Sequence, residues 1–215
     1  VTGSGKTEVY LRAIEHVVKA GGSAIVLVPE IALTPQTVAR FFGRFEPSTV
    51  AVLHSGLTAS QRHAQWRRIR SGEARVVVGA RSAVFAPLPN LRLIVVDEEH
   101  EATYKQDQLP RYHARDVAIK RAQVLGVPIV LGSATPSLES YVNAAPASES
   151  GDETGTKRRH YHLLRLPERA PGMQLPVVEI VDLVVERRNR RGVHLLSQRL
   201  EEEIRKALAS PGDAA

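Results

Sequence analysis

The chain has 215 residues, 43% of them hydrophobic and 24% charged, enough for one sizeable core, or for one domain and part of another. It contains no cysteine, which excludes disulfides and thiolate zinc sites within it, and no apolar run approaches the ~18 residues that would cross a membrane. A net charge of +6 and a pI of about 9.9 suit a polyanionic partner without specifying one. No signal peptide is visible and the default setting is cytosolic. Aromatic residues make up only 5% of the chain, so any that cluster carry information.

The first seven residues, VTGSGKT, read as a phosphate-binding loop, G-x-x-x-x-G-K-[ST], without its opening glycine. That glycine would stand just before Val1, so the chain reads as beginning inside the motif. The strand that presents the loop would then precede Val1, leaving the first strand of the sheet truncated. On this reading the fragment alone folds poorly or shows an unpaired strand edge. Thr2, Gly3, Ser4 and Gly5 turn backbone N–H groups toward phosphate oxygens. Lys6 reaches the β- and γ-phosphates, and the Thr7 hydroxyl holds Mg²⁺. Residues 8–20 have helical spacing, with Val9, Leu11, Ile14, Val17 and Val18 in one stripe, and Gly21-Gly22 ends them. A helix there adds a positive dipole end behind the loop. The plainer alternative is a Gly/Ser turn before an ordinary helix.

Short apolar runs then alternate with helical patterns. Residues 24–28, 50–53, 75–79, 91–96 and 127–131 read as strands, the first of the doubly buried parallel kind. Residues 34–45, 59–71 and 114–125 read as helices, with Trp66 and Ile69 on one side of the second and Gly126 closing the third. This alternation predicts a doubly wound α/β sheet, mainly parallel. Ligands in such sheets bind beyond the carboxyl ends of the strands. Pro29-Glu30, residues 79–81, Asp97-Glu98 and residues 132–135 stand at those ends. Residues 144–160 are small, polar and broken by Gly and Pro, and read as a surface loop or linker. Beyond them, residues 161–166 and 177–181 are candidate strands and residues 187–192 a basic turn. Residues 197–208 make a helix capped by Ser197, with Leu200, Ile204 and Leu208 on one face and Pro211-Gly212 after it.

The acidic tetrapeptide of residues 97–100, DEEH, follows an apolar strand. A carboxylate there, Asp97, is placed to share with Thr7 the Mg²⁺ of a nucleotide, and Glu98 to polarise an attacking water. The alternative is an acidic strand end facing water. No second His or Cys stands at ligand spacing from His100, so a permanent metal site is not indicated. Ser133 and Thr135 follow the next strand. They can hydrogen-bond the acidic cluster and report nucleotide state, or simply cap a helix over residues 137–142. Both roles are compatible.

Phosphate loop, D-E-x-H box and S-A-T together resemble a superfamily-two helicase motor. In greater detail, GSGKTEVY (3–10), LVPEIALTPQ (27–36), GARSAVFAP (79–87), DEEH (97–100) and GSATPSLES (132–140) are similar to the primosomal replication-restart helicases. The resemblance covers nearly all of residues 1–142 and continues weakly over 176–208. It implies a RecA-like lobe of a P-loop NTPase, with residues 1–145 the ATP-binding lobe. Residues 146–162 would be a linker or insertion, and 163–215 a connection toward a second lobe. It implies a 3′→5′ DNA helicase that recognises stalled forks and D-loops and reloads the replicative helicase. The cofactors are ATP and Mg²⁺, carried by Lys6, Thr7, Asp97 and Glu98. Ser133, Thr135 and His100 would couple hydrolysis to movement. Zinc is expected only in a C-terminal part outside this chain, as is the second lobe's arginine finger. Forked and single-stranded DNA, primosome proteins and single-strand-binding protein would be partners, with no membrane, in the cytoplasm and on the nucleoid.

The same resemblance puts Pro29, Glu30, Thr34, Gln36, Arg81 and Ser82 against single-stranded DNA. Residues 104–115 match the family's aromatic-rich loop. Two tyrosines, a histidine and three cations in twelve residues can stack bases and pair with phosphates. Tyr104, Lys105, Arg111, Tyr112 and His113 are the candidates. The alternative is a surface loop whose tyrosines cover the sheet edge. Lys157, Arg158, Arg159 and the cluster Arg187, Arg188, Arg190, Arg191 fit solvated charge as well as DNA contact. Two other functions stay open: another superfamily-two translocase, and a fork-binding scaffold without effective ATPase.

Overall fold

The computed structural model describes residues 4–144, 161–168, 178–189 and 195–209. Two compact units divide the chain, Val1–Pro171 and Gly172–Ala215. In the first, α1 (Lys6–Lys19) leads to β1 (Ser23–Leu27), α2 (Pro35–Phe42), β2 (Val50–Leu53), α3 (Ala59–Arg70), β3 (Val76–Gly79) and β4 (Leu91–Val96). A two-residue hairpin, β5 (Lys105–Gln106) and β6 (Tyr112–His113), precedes α4 (Ala114–Leu125), β7 (Ile129–Leu131) and α5 (Leu138–Ala144).

The sheet runs β2-β3-β1-β4-β7, and every pairing in it is parallel. Side chains of a strand alternate between faces, and here the alternation sorts the core into two layers. Ala24, Val26, Val76, Val78, Leu93 and Val95 pack with Tyr10, Leu11 and Ile14 of α1 and Phe41 of α2. Ile25, Leu27, Val77, Ile94 and Val96 pack with Ile69 of α3 and Ala114, Ala118 and Ala122 of α4. The helices therefore cover both faces, as the sequence pattern predicts. β1 and β3 are buried along their whole length.

β7 differs. It pairs only with β4 among the described residues and its three residues are half-buried, so its outer edge is the free edge the sequence anticipates. Local signals set the helix ends. Thr34 caps α2 by accepting from Thr37 N at 3.2 Å, Thr58 and Gln61 form a reciprocal capping box on α3, and Gly126 ends α4 at φ 63°.

Some expectations are corrected. Residues 161–166 form no strand, and Leu164 is 85% exposed. No neighbouring strand pairs with them, so their apolar alternation has no face to bury. Val178 to Val181 is likewise not a strand, and Val177 lies outside the described residues. Arg187 and Arg188 belong to a helix, α6 (Leu183–Asn189), not to a turn; Arg190 and Arg191 lie outside the described residues. In the same unit α7 (Gln198–Ala209) forms as read, with the Ser197 Oγ accepting from Leu200 N at 3.1 Å. Thr2, Gly3, residues 145–160 with Lys157, Arg158 and Arg159, and Pro211-Gly212 lie outside the described residues.

Candidate nucleotide and nucleic-acid site

All strands being parallel, their carboxyl ends meet at one edge, and the sequence-read residues collect there. Gly5 begins α1 with φ 83°, a left-handed conformation that glycine adopts without strain. Lys6 and Thr7 follow in the first turn, at the positive end of the helix dipole. The Ser4 Oγ is buried with no hydrogen-bond partner among the described residues. A buried hydroxyl without a partner costs free energy unless a ligand or water satisfies it. The loop so built fits a phosphate group.

Backbone ladders hold the acids at the end of β4. Asp97 N donates to Leu27 O at 2.9 Å, and Gly132 N donates to Val96 O at 2.9 Å. The Lys6 ammonium meets Glu98 Oε1 at 2.8 Å, with both side chains partly exposed. Tyr10 Oη donates to Asp97 Oδ1 at 3.1 Å, and Tyr104 Oη donates to Asp97 O at 2.6 Å. Burial, then the Glu98 charge, raises the Asp97 pKa above the usual carboxylate range; the Tyr10 hydrogen bond and Lys6 oppose that rise. Burial, then Asp97, pushes both tyrosine phenols up, so they remain donors. Thr7 and Asp97 fit the sparse protein share of a Mg²⁺ site, which otherwise takes phosphate and water oxygens. No cluster of three His, Cys, Asp or Glu suited to a metal occurs among the described residues.

Glu98 has φ 44°, a positive value uncommon outside glycine, and beyond it the chain turns to a second set of partners. His100 Nδ1 lies 2.6 Å from Ser133 Oγ, and Thr135 Oγ1 lies 3.4 Å from His100 Nε2. The Ser133 Oγ also accepts from Thr135 N at 2.9 Å. The S-A-T segment thus bonds the acidic box directly. A side chain on Gly132 would collide with the Tyr10 hydroxyl, which brings α1 against the start of the same segment.

The candidate DNA residues divide. Pro29 caps a 3₁₀ turn (Glu30–Ala32), and the exposed Glu30 carboxylate accepts from Ser55 Oγ. Gln36 and Ser82 are exposed; Thr34 also caps α2. Arg81 Nη1 donates to Lys105 O at 2.6 Å, tying its strand end to the aromatic-rich loop. Lys105 and Arg111 are exposed, and Tyr112 and His113 half-buried. Tyr104 is 1% exposed, so it has no free ring face for a base. It packs on the sheet, as the alternative reading of this loop had it. Phe85, 49% exposed, meets Tyr112 edge-on at 5.1 Å and takes Tyr104's place in an exposed aromatic pair.

Sequence reasoning missed Phe85, Tyr10 and above all Glu99. Glu99 is 1% exposed. Its carboxylate accepts from Ser137 N at 2.7 Å, Ser137 Oγ at 3.1 Å, Ser140 Oγ at 3.0 Å and Arg115 Nη1 at 3.1 Å. Burial alone would raise its pKa; the Ser137 N–H, Ser140, Arg115 and the Ser137 hydroxyl outweigh that and hold it below the usual range. Only the lone charge between two functional residues hints at it in the sequence.

Residues 1–144 match the DEAD/DEAH box helicase family. The chain is 52% identical over 96% of its length to the replication restart protein PriA of Bacillus subtilis, covering 24% of that protein. It is 50% identical over 86% of its length to PriA of Synechocystis, covering 21%. The chain thus spans about a quarter of the length of these relatives. Among solved structures, the helicase domain of Pyrococcus furiosus Hef aligns with a TM-score of 0.46 at 25% identity, over 64% of this chain and 29% of that one. No helix of the described residues is long and apolar enough to cross a membrane. The chain belongs to the DEAD/DEAH box helicase family, and the relatives it resembles within that family are replication restart proteins.

Proposed function

We propose that the chain is the ATP-binding lobe of a 3′→5′ DNA translocase that acts in restart of stalled replication forks. The observation that carries the reading is the convergence of Gly5, Lys6, Asp97 and Glu98 at one sheet edge, with Lys6 and Glu98 2.8 Å apart. Bound ATP and Mg²⁺ supply the cleavable phosphoanhydride and the charge neutralisation that its hydrolysis needs. The chain's own residues do the rest. The α1 N-terminus, the Ser4 hydroxyl and Lys6 bind phosphate oxygens. Lys6 must leave Glu98 to do so, and that frees the Glu98 carboxylate to take a proton from water. Tyr10 and Tyr104 hold Asp97 in place at its side chain and its carbonyl.

On the DNA side, Arg81, Lys105, Arg111 and Tyr112, with Pro29, Glu30, Thr34, Gln36, Ser82 and His113, would face a single strand. Basic side chains there neutralise phosphates and exposed rings stack bases. Primosome and single-strand-binding proteins would be the partners of the complete protein, in the cytoplasm at the nucleoid.

The test is DNA-stimulated ATP hydrolysis by the intact protein, on forked against linear duplex DNA, with Lys6→Ala as control. Fork-dependent turnover that Lys6→Ala abolishes is expected. Fork binding without turnover would replace the motor by a scaffold, and equal turnover on any DNA would indicate a different translocase. Strand displacement from 3′- and 5′-tailed forks checks the polarity.

A further inference from the structure

Glu99 has no part in the chemistry above, yet it is among the largest fully buried side chains. Burying a carboxylate costs several kcal/mol before its partners repay it, and an apolar residue in such a place is often no less stable. Its partners are specific. Arg115 is the second residue of α4, directly behind the β5–β6 hairpin of the aromatic-rich loop. Ser137 immediately precedes α5, two residues after the S-A-T segment, and Ser140 lies in its first turn. Arg115 Nη1 also donates to Ser137 Oγ at 2.8 Å, so the three groups close a triangle. The Glu99 N–H donates to Gly132 O at 3.0 Å, extending the β4–β7 ladder. One peptide away stands Glu98, in its left-handed conformation and paired with Lys6.

We propose that Glu99 is a positioning residue that transmits a displacement of the 104–115 loop to Glu98 and the S-A-T segment, through its buried ion pair with Arg115 and its bonds to Ser137 and Ser140. This rests on the reading of the chain as a DNA-dependent ATPase. Each contact is a short, direct bond between side chains nearly or largely enclosed. A shift of α4's first turn therefore cannot be absorbed by solvent. It must move the carboxylate, and with it the backbone that carries Glu98 on one side and the start of α5 on the other. The exposed Tyr112–Phe85 pair and Lys105 lie on the loop side of this linkage. The catalytic Lys6–Glu98 pair lies on the other.

The test uses the intact protein and reads ATP hydrolysis with and without single-stranded DNA. Glu99→Gln keeps the shape and the acceptor for Ser137 N but loses the charge pairing with Arg115. The expected result is a KM for ATP within about twofold of the wild type and a loss of at least ~10-fold in the ratio of DNA-stimulated to DNA-free rate, within the usual span of coupling between sites. Arg115→Gln gives the same defect, and the double variant is no worse than either single, as for residues acting on one path. Stimulation retained within twofold in both single variants overturns the proposal. So does a parallel fall of both rates with a raised KM, the mark of a merely structural role. Should Glu99→Gln fail to fold, Arg115→Lys decides: it keeps the charge and loses the bridge to Ser137, and undiminished stimulation overturns the proposal. A wild-type protein without DNA stimulation defeats the motor reading itself, which separates that failure from this one.

Discussion

Two adjacent glutamates divide the molecule's electrostatics between them. Glu98 pairs with Lys6 at 2.8 Å in a partly open cleft, and Glu99 pairs with Arg115 at 3.1 Å out of contact with water. Their sequence context is nearly the same, yet the left-handed turn at Glu98 delivers them to opposite partners. The open pair can be broken by a ligand at little cost, because water compensates both charges. The closed pair cannot, because each charge would be stranded in the interior. An ion pair that a nucleotide must displace belongs in the first environment, and one that fixes distant segments in the second.

Substitutions on the two sides should therefore fail in different ways. Lys6→Ala should lower hydrolysis by the intact protein ~10³-fold or more, because charge stabilisation of a transferring phosphoryl group is the main catalytic term. The same change should move the unfolding midpoint of the chain little, as expected of an exposed pair. Glu99→Ala should do the reverse in a melt, costing ~3–5 kcal/mol by leaving Arg115 buried and uncompensated. A melt unchanged by Glu99→Ala would break the comparison. The 215-residue chain by itself should turn over ATP at least ~10³-fold more slowly than the intact protein, since a lobe of this kind takes an arginine finger from elsewhere. Phosphate release with saturating single-stranded DNA measures this.

Smaller effects sharpen the contrast. Ser133→Ala with Thr135→Ala removes the hydroxyls that meet His100. The expected outcome is hydrolysis within a few-fold of wild type but strand displacement reduced ~10-fold, a size usual for coupling between sites. Tyr10→Phe takes one donor from Asp97. At about 1 kcal/mol for that bond, the Mg²⁺ concentration for half-maximal hydrolysis should rise roughly fivefold.

The sequence made the layers of this fold legible because parallel strands buried on both faces read as unbroken apolar runs, and residues 24–28, 75–79 and 91–96 are such runs. What it could not show is how many neighbours a run has. Residues 129–131 have the same composition as β1, but a single partner strand leaves them half-buried. Residues 161–166 have none and stay out of the sheet. At the site, Lys6, Asp97, Glu98, Ser133 and Thr135 were legible because their spacing is tied to one chemistry. Tyr104 was not, because burial depends on where a loop folds back. Glu99 was hidden because its partners lie 16 and 38 residues away in sequence.

His113 offers the finest test of the closed side. Its ring is half-buried between the hairpin and α4, and its Nδ1 is buried without a hydrogen-bond partner among the described residues. Burial lowers its pKa; Asp116 and Glu99 pull upward and Arg115 and Lys105 push further down. The folded chain therefore takes up its proton at lower pH than the unfolded chain. The unfolded state binds more protons in that window, so stability contributed by the neutral ring is present above the ordinary histidine range and lost as pH falls through the folded pKa. His113→Gln should flatten the decline in the urea midpoint between about pH 7.5 and 5.5, near the ordinary histidine pKa of ~6.5. The effect should be the smallest of these, because the ring is only partly enclosed and Asp116 compensates it. An unchanged slope would mean that the loop opens enough to hydrate His113. The linkage from the loop to Glu99 would then have slack at its first joint.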